Sequence, residues 1–174
     1  MPPGEAAPQP WLVAHAAVLP TPGWALDAGM GLGGSAGWLA DRGWRVAGFD
    51  ISEVALRRAR ARWPALLACV ADLERLPLAP APAFDLILDF YYLDRALWPM
   101  FRRALRPGGL LLLETFAQAS REPPTGQPAI NPAYVLAPGE LRAAFADWEI
   151  LDYQESERDG RWVAGLAARK LSGV

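Results

Sequence analysis

The sequence predicts an α/β fold: a doubly wound, mostly parallel sheet with helices on both faces, closed by an antiparallel C-terminal hairpin. Three observations predict it. Short apolar runs alternate with helical stretches five times along the chain, and only a crossover can join parallel neighbours. Phe84 to Phe90 has almost no polar residue inside it, as befits a strand buried on both faces. Two strand-like runs near the end, Trp148 to Gln154 and Arg161 to Ala168, flank a charged turn at Asp159 and Gly160, which reads as a hairpin.

Each element has a local reason. Met1 to Pro10 is Pro-rich, without a basic start or a continuous apolar stretch, and reads as a flexible tail. A single domain then spans residues 11–174. Trp11 to Leu19 has helical apolar spacing and stops at Pro20. Trp24 to Ala28 is a strand that runs into a glycine cluster, Ser35 to Asp41 is a helix ended by Gly43, and Arg45 to Phe49 is the second strand. Ser52 caps a helix from Val54 to Trp63, which Pro64 stops. Ala65 to Val70 is a third strand and Phe84 to Phe90 a fourth. Leu93 to Leu105 is a helix ended by Pro107, Gly108 and Gly109, and Leu110 to Phe116 is the fifth strand. Ala119 to Pro138 holds five prolines and is too long for a mere connector, so it reads as a lid. Glu140 to Phe145 is a short helix.

Composition narrows the function. At 174 residues, with 52% hydrophobic and 21% charged residues, the chain suits one packed core. A net charge of -2 gives no general attraction to nucleic acid, so no nucleic-acid partner is expected. The longest apolar run, Gly108 to Leu113, is far too short to span a bilayer. Cys69 is the one cysteine; it excludes an intrachain disulfide framework, points to a cytoplasmic location, and is expected in the core of its strand. His15 is the one histidine, so no metal site and no hydrolase triad are expected. Arg57, Arg58, Arg60 and Arg62 crowd one helix and read as a solvated face.

The strongest chemical signal is Asp27-Ala28-Gly29-Met30-Gly31-Leu32-Gly33 between a strand and a helix, with Asp50 ending the next strand 21 residues beyond Gly29. Glycines let a ligand approach the backbone, and an acid after the second strand accepts hydrogen bonds from a ribose diol. That describes a nucleoside site. Gly29, Gly31 and Gly34 also satisfy the dinucleotide spacing, which leaves a nicotinamide-dependent oxidoreductase open. Asp27 weighs against it, because a carboxylate beside the first glycine repels a pyrophosphate and suits the ammonium of a methionine moiety.

On these residues the chain resembles the class I S-adenosylmethionine-dependent methyltransferases, over nearly its whole length. Leu26 to Gly33 is similar to the first motif of that family, Gly48-Phe49-Asp50-Ile51-Ser52 to the second, Ala71-Asp72-Leu73 to the third and Phe84 to Leu88 to the fourth, while Leu105 to Leu110 is similar to the turn before strand five. Tyr92 to Arg95, Glu114-Thr115-Phe116 and Pro138 to Leu141 look closest to the tellurite-resistance-like, small-molecule branch. The resemblance implies a seven-stranded Rossmann-like sheet, S-adenosylmethionine as cofactor and S-adenosylhomocysteine as product. It implies that Asp27, Gly29, Gly31 and Gly33 meet the methionine end, that Asp50 and Ser52 serve the ribose, that Ile51 packs on adenine, and that Asp72 and the Leu73 backbone bind the adenine amino group. Met30 stands where relatives commonly carry Cys, Ala or Gly.

The fourth strand ends in Asp89-Phe90-Tyr91-Tyr92, and ligands in doubly wound sheets bind beyond the carboxyl ends of the strands. Asp89 and Tyr91 are therefore expected at the methyl group, with Phe90 steadying the cofactor sulfonium through its ring face. Arg95 is expected to orient an anionic acceptor. Methyl transfer is an in-line displacement that positioning and water exclusion suffice to drive. The expected activity is methyl transfer to a small molecule of unspecified identity; the alternative is a module that binds the cofactor without turnover.

Overall fold

The computed structural model describes residues 6–75, 81–118, 131–158 and 160–172. A seven-stranded sheet forms its centre, built from β1 (Trp24–Ala28), β2 (Arg45–Asp50), β3 (Leu67–Val70), β4 (Phe84–Phe90), β5 (Leu105–Phe116), β6 (Glu149–Arg158) and β7 (Arg161–Arg169). The strand order is β3-β2-β1-β4-β5-β7-β6. β1 to β5 pair in parallel, and β7 alone runs against its neighbours. The order reverses between β1 and β4, and such a switch point opens a crevice at the strand ends.

The helices are α1 (Pro10–Ala14), α2 (Gly34–Ala40), α3 (Glu53–Arg62), α4 (Trp98–Ala104) and α5 (Glu140–Ala144). Strand alternation sorts the sheet residues into two cores. Leu26, Ile87, Leu111 and Leu113 join Phe101 of α4 and Phe145. Ala25, Leu86, Leu88, Leu110 and Leu112 join Trp11, Leu12, Leu39 and Leu56 on the other face. The sheet is thus covered on both sides, as the sequence predicts. Trp11 lies over Gly165, whose missing Cβ makes the room, and its indole Nε1 donates to the Leu166 carbonyl at 3.3 Å.

Several boundaries differ from the sequence reading. The helix expected from Trp11 to Leu19 breaks at His15 into α1 and a 3-10 turn, Ala16–Val18. The helix expected from Leu93 begins at Trp98, after a 3-10 turn at Arg95–Leu97 that Asp94 caps through the Ala96 amide at 2.9 Å. Cys69 is exposed and not in the core, because β3 is the sheet edge and presents Leu67, Cys69 and Val70 outward.

Of the segment read as a flexible tail, residues 6–10 are described and pack. The Ala7 carbonyl lies against Gly34, where any Cβ would overlap it, and the Gln9 amide donates to Ser35 Oγ at 3.1 Å. Of the expected lid, residues 119–130 lie outside the described residues. Its end is anchored: Leu136 is buried, its amide donates to the Phe116 carbonyl, and its carbonyl accepts from the Gln118 amide. Among the described residues, no helix is long and apolar enough to cross a membrane.

Candidate cofactor and acceptor site

The loop after β1 is held by backbone bonds to β2 and by one carboxylate. The amides of Gly29 and Met30 both donate to the Phe49 carbonyl, at 2.9 and 3.0 Å, which ties the loop to β2. Gly29, Gly31 and Gly33 all have positive φ, a conformation that other residues adopt only at a cost. At Gly31 a Cβ would meet nothing within 4 Å, so the loop faces open space there. Asp50 fixes this geometry: its carboxylate accepts from Gly31 N at 2.7 Å and from Ser52 N at 2.8 Å. Ser52 in turn caps α3 through Ala55 N.

A cavity of about 270 Å³ opens at the switch point, with Asp27, Gly29, Gly31, Ser35 and Phe90 in its wall and Ala7 and Gln9 along one side. Asp27 is the penultimate residue of β1 and is only 3% exposed. Burial pushes its carboxyl up to about 7, against a hydrogen bond from the Ala36 amide and with Asp50 adding repulsion. A buried carboxylate of this kind gains most from a cationic partner. Ile51, 75% exposed, stands beside Asp50 as an uncovered apolar surface. Asp72 follows β3 and pairs with Arg75 at 3.3 Å. The Leu73 side chain is buried.

A second cavity, of about 330 Å³, lies at the ends of β4 and β5, walled by Tyr91, Tyr92, Thr115, Phe116 and Tyr134 with Asp94. Phe90 and Tyr91 are consecutive, so the two cavities adjoin across one peptide. Tyr91 takes a positive φ of 59°, a strained conformation of the kind that collects at functional sites. Its amide donates to the Glu114 carbonyl at 2.8 Å and its hydroxyl to Glu114 Oε1 at 2.9 Å. Glu114 is fully buried and takes two hydrogen bonds from Arg158 Nη1, at 2.8 and 2.7 Å.

The structure revises three expectations. Gly33, like Asp50, Ile51, Ser52, Asp72 and Leu73, is not on the wall of the cofactor-side cavity; a Cβ on Gly33 would press on Ala59 and Met30, which places it in the packing against α3. Asp89 lines neither cavity. Alternation turns it to the sheet face opposite Asp27, where it is fully buried with no hydrogen-bond partner for either oxygen among the described residues. Burial, with Asp27 and Asp94 adding repulsion, holds its carboxyl well above the usual range. Tyr91 lies on the wall of the second cavity, and burial and Glu114 push its phenol up to about 12. Arg95 is not presented to an acceptor: it grips Glu140 with two nitrogens and donates to the carbonyls of Ala133 and Val135 at 3.0 Å each.

Sequence reasoning missed the Glu114–Arg158 pair and the contribution of Ala7, Gln9 and Tyr134. A lone acid at the end of the apolar run Leu110 to Leu113 was the available signal, since such a residue needs a cationic partner. Among the described residues, no group of His, Cys, Asp and Glu is placed to hold a metal ion.

A glycine loop after Asp27 at the switch point and Asp50 at the end of β2, on this sheet order, give the chain the fold of the class I S-adenosylmethionine-dependent methyltransferases. Residues 25–109 match the family model described as a methyltransferase domain. A probable S-adenosylmethionine-dependent methyltransferase of Mycolicibacterium smegmatis is 34% identical over 125 residues, which is 68% of this chain and 46% of that protein. The chain spans about half the length of the curated relatives it matches. The crystal structure of TehB from Haemophilus influenzae superposes with a TM-score of 0.76 at 22% identity, over 91% of this chain and 61% of that one. The 1,6-didemethyltoxoflavin-N1-methyltransferase of Burkholderia thailandensis, solved with its substrate and S-adenosylhomocysteine, superposes with a TM-score of 0.73 at 22% identity, over 97% of this chain and 80% of that one. These two likenesses lie in the fold.

Proposed function

We propose that the chain transfers the methyl group of S-adenosylmethionine to a small molecule seated in the cavity between Tyr91 and Tyr134. The adjacency of the two cavities across the Phe90–Tyr91 peptide carries this reading. The residues fit the cofactor: a buried carboxyl at Asp27 wants a cation, the Gly31 surface is unobstructed, and Ile51 offers an exposed apolar face beside Asp50.

Bound there, S-adenosylmethionine supplies a methyl group activated by its sulfonium. The chain binds and orients. Asp27 pairs with the ammonium, with the Gly29 and Gly31 backbone alongside. Asp50 accepts from the ribose while Ser52 holds its other oxygen; Ile51 covers adenine, with Asp72 and the Leu73 backbone at its amino group. Phe90 presents its ring to the sulfonium. Ala7 and Gln9 narrow the entrance and limit water. Tyr91, held by Glu114, sets the boundary between cofactor and acceptor, so that catalysis rests on alignment. A cytoplasmic location accompanies this reading.

Calorimetric titration with S-adenosylhomocysteine tests it. The expected result is one site whose affinity falls at least about tenfold in Asp27→Asn and in Asp50→Ala, the scale of one charge-assisted contact. Absence of binding, or tighter binding of NAD, overturns the proposal.

A further inference from the structure

The acceptor cavity is rich in ring faces and poor in cations. Tyr91, Tyr92, Phe116 and Tyr134 supply rings, Thr115 a hydroxyl and Asp94 a carboxylate. No Lys, Arg or His among the described residues lines it. Two of the neighbouring guanidinium groups are engaged elsewhere, and a third stacks on a ring of the cavity wall. Arg95 is taken by Glu140 and two carbonyls, Arg158 by Glu114, and Arg161 lies over the Phe116 ring, 5.3 Å from its centroid.

An anionic acceptor entering this space would face Asp94, with no cation among the described lining residues to offset its desolvation. A neutral nitrogen meets the reverse situation. As the methyl group moves, positive charge passes from sulfur to the accepting nitrogen, and that charge develops among aromatic faces and beside a carboxylate, which both stabilise it. We propose that the acceptor is a planar, uncharged nitrogen heterocycle or aromatic amine, methylated on nitrogen and preferred over an oxyanion. This rests on the methyltransferase reading above.

In the step itself the nitrogen lone pair forms the new N–C bond. The C–S bond breaks with its electron pair left on sulfur, giving a neutral thioether. Where the nitrogen carries a hydrogen, that proton passes to Asp94 and on to water; where it carries none, the product keeps its charge among the rings.

The test compares two fused bicyclic aromatic probes, the uncharged isoquinoline and the anionic 2-naphthoate, by ligand-observed NMR with and without S-adenosylhomocysteine. Isoquinoline is expected to bind at least about tenfold more tightly than 2-naphthoate, a difference that desolvating the naphthoate carboxylate beside Asp94 can supply. Asp94→Asn keeps the oxygen that caps Ala96 and is expected to cut that ratio to about threefold or less. Tyr134→Ala alters an exposed residue and is expected to weaken isoquinoline at least about threefold. Equal affinities, preference for 2-naphthoate, or no binding of isoquinoline at millimolar concentration overturns the proposal. Failure to bind S-adenosylhomocysteine in the same samples overturns the methyltransferase reading separately, because the probe ratio is still read without it.

Discussion

The thioether of Met30 occupies the space that a Cβ on Gly48 would fill. Met30 is 6% exposed and packs in the core between β2 and α3 with Ala59, Leu66 and Ala68. Its bulk is thus turned away from the loop's open face, and Gly48 on β2 makes that possible. The large residue between the first two glycines leaves the Gly31 surface clear.

Gly48→Ala is therefore expected to destabilise the fold by about 1–3 kcal/mol, the cost of overpacking a filled core, and to weaken S-adenosylhomocysteine by pushing the loop outward. Met30→Ala alone is expected to cost about 2–4 kcal/mol through the cavity it leaves. Combined, the two changes should cost less than their sum, since each relieves the other. Denaturant unfolding of the four proteins checks this; strict additivity would show that the two residues do not share the space.

Asp27 makes both stability and cofactor affinity depend on pH. Its folded value of about 7 lies above the ordinary 3.8, so the folded protein holds its proton more tightly than the unfolded chain. The stability linked to this group is full below about pH 4 and is lost as pH rises toward and through 7. Asp27→Asn removes that loss and is expected to gain on the parent between pH 5 and 8, by on the order of a few kcal/mol. Ligand binding has the opposite slope: an ammonium needs the carboxylate, so affinity should rise about tenfold from pH 6 to pH 8, with proton release in calorimetry. A flat profile in the parent would remove Asp27 from the methionine end.

Most of the sheet was legible because β1, β4 and β5 are apolar on both faces and are punctuated by Pro and Gly. The placement of Asp27 on the cavity wall and of Asp50 against the glycine loop follows from local spacing as well. What local pattern does not encode is tertiary. Arg95 is pre-empted by Glu140, 45 residues on. Asp89 faces away from Asp27 through the one-residue alternation of β4. Cys69 is exposed because its strand takes the sheet edge, and a short apolar run does not reveal whether it has one neighbour or two.

The Arg95–Glu140 pair holds the chain before α5 against the turn at Arg95–Leu97, and so holds Tyr134 at the acceptor cavity. Both partners are partly exposed, so its stability contribution is modest, about 0.2–1 kcal/mol. Its effect belongs to the acceptor. Arg95→Gln is expected to raise KM for the acceptor several-fold while leaving S-adenosylhomocysteine affinity unchanged. An equal loss for both ligands would show a general structural fault.

The Glu114–Arg158 pair ties β5 to β6 across the hairpin and fixes the strained Tyr91. Glu114 is buried while Arg158 reaches solvent, so the two partners are unequal. Arg158→Met strips a buried carboxylate of its counter-charge and is expected to cost about 3 kcal/mol, the lower end of what such breaks cost. Glu114→Gln removes the charge but keeps an oxygen for the Tyr91 hydroxyl, and should cost less. Arg158→Met with Glu114→Gln should recover part of the loss, because no buried charge then remains unpaired. Urea unfolding at pH 7 measures all three. A double variant no more stable than Arg158→Met alone would show that Arg158 acts by packing its stem rather than by neutralising Glu114.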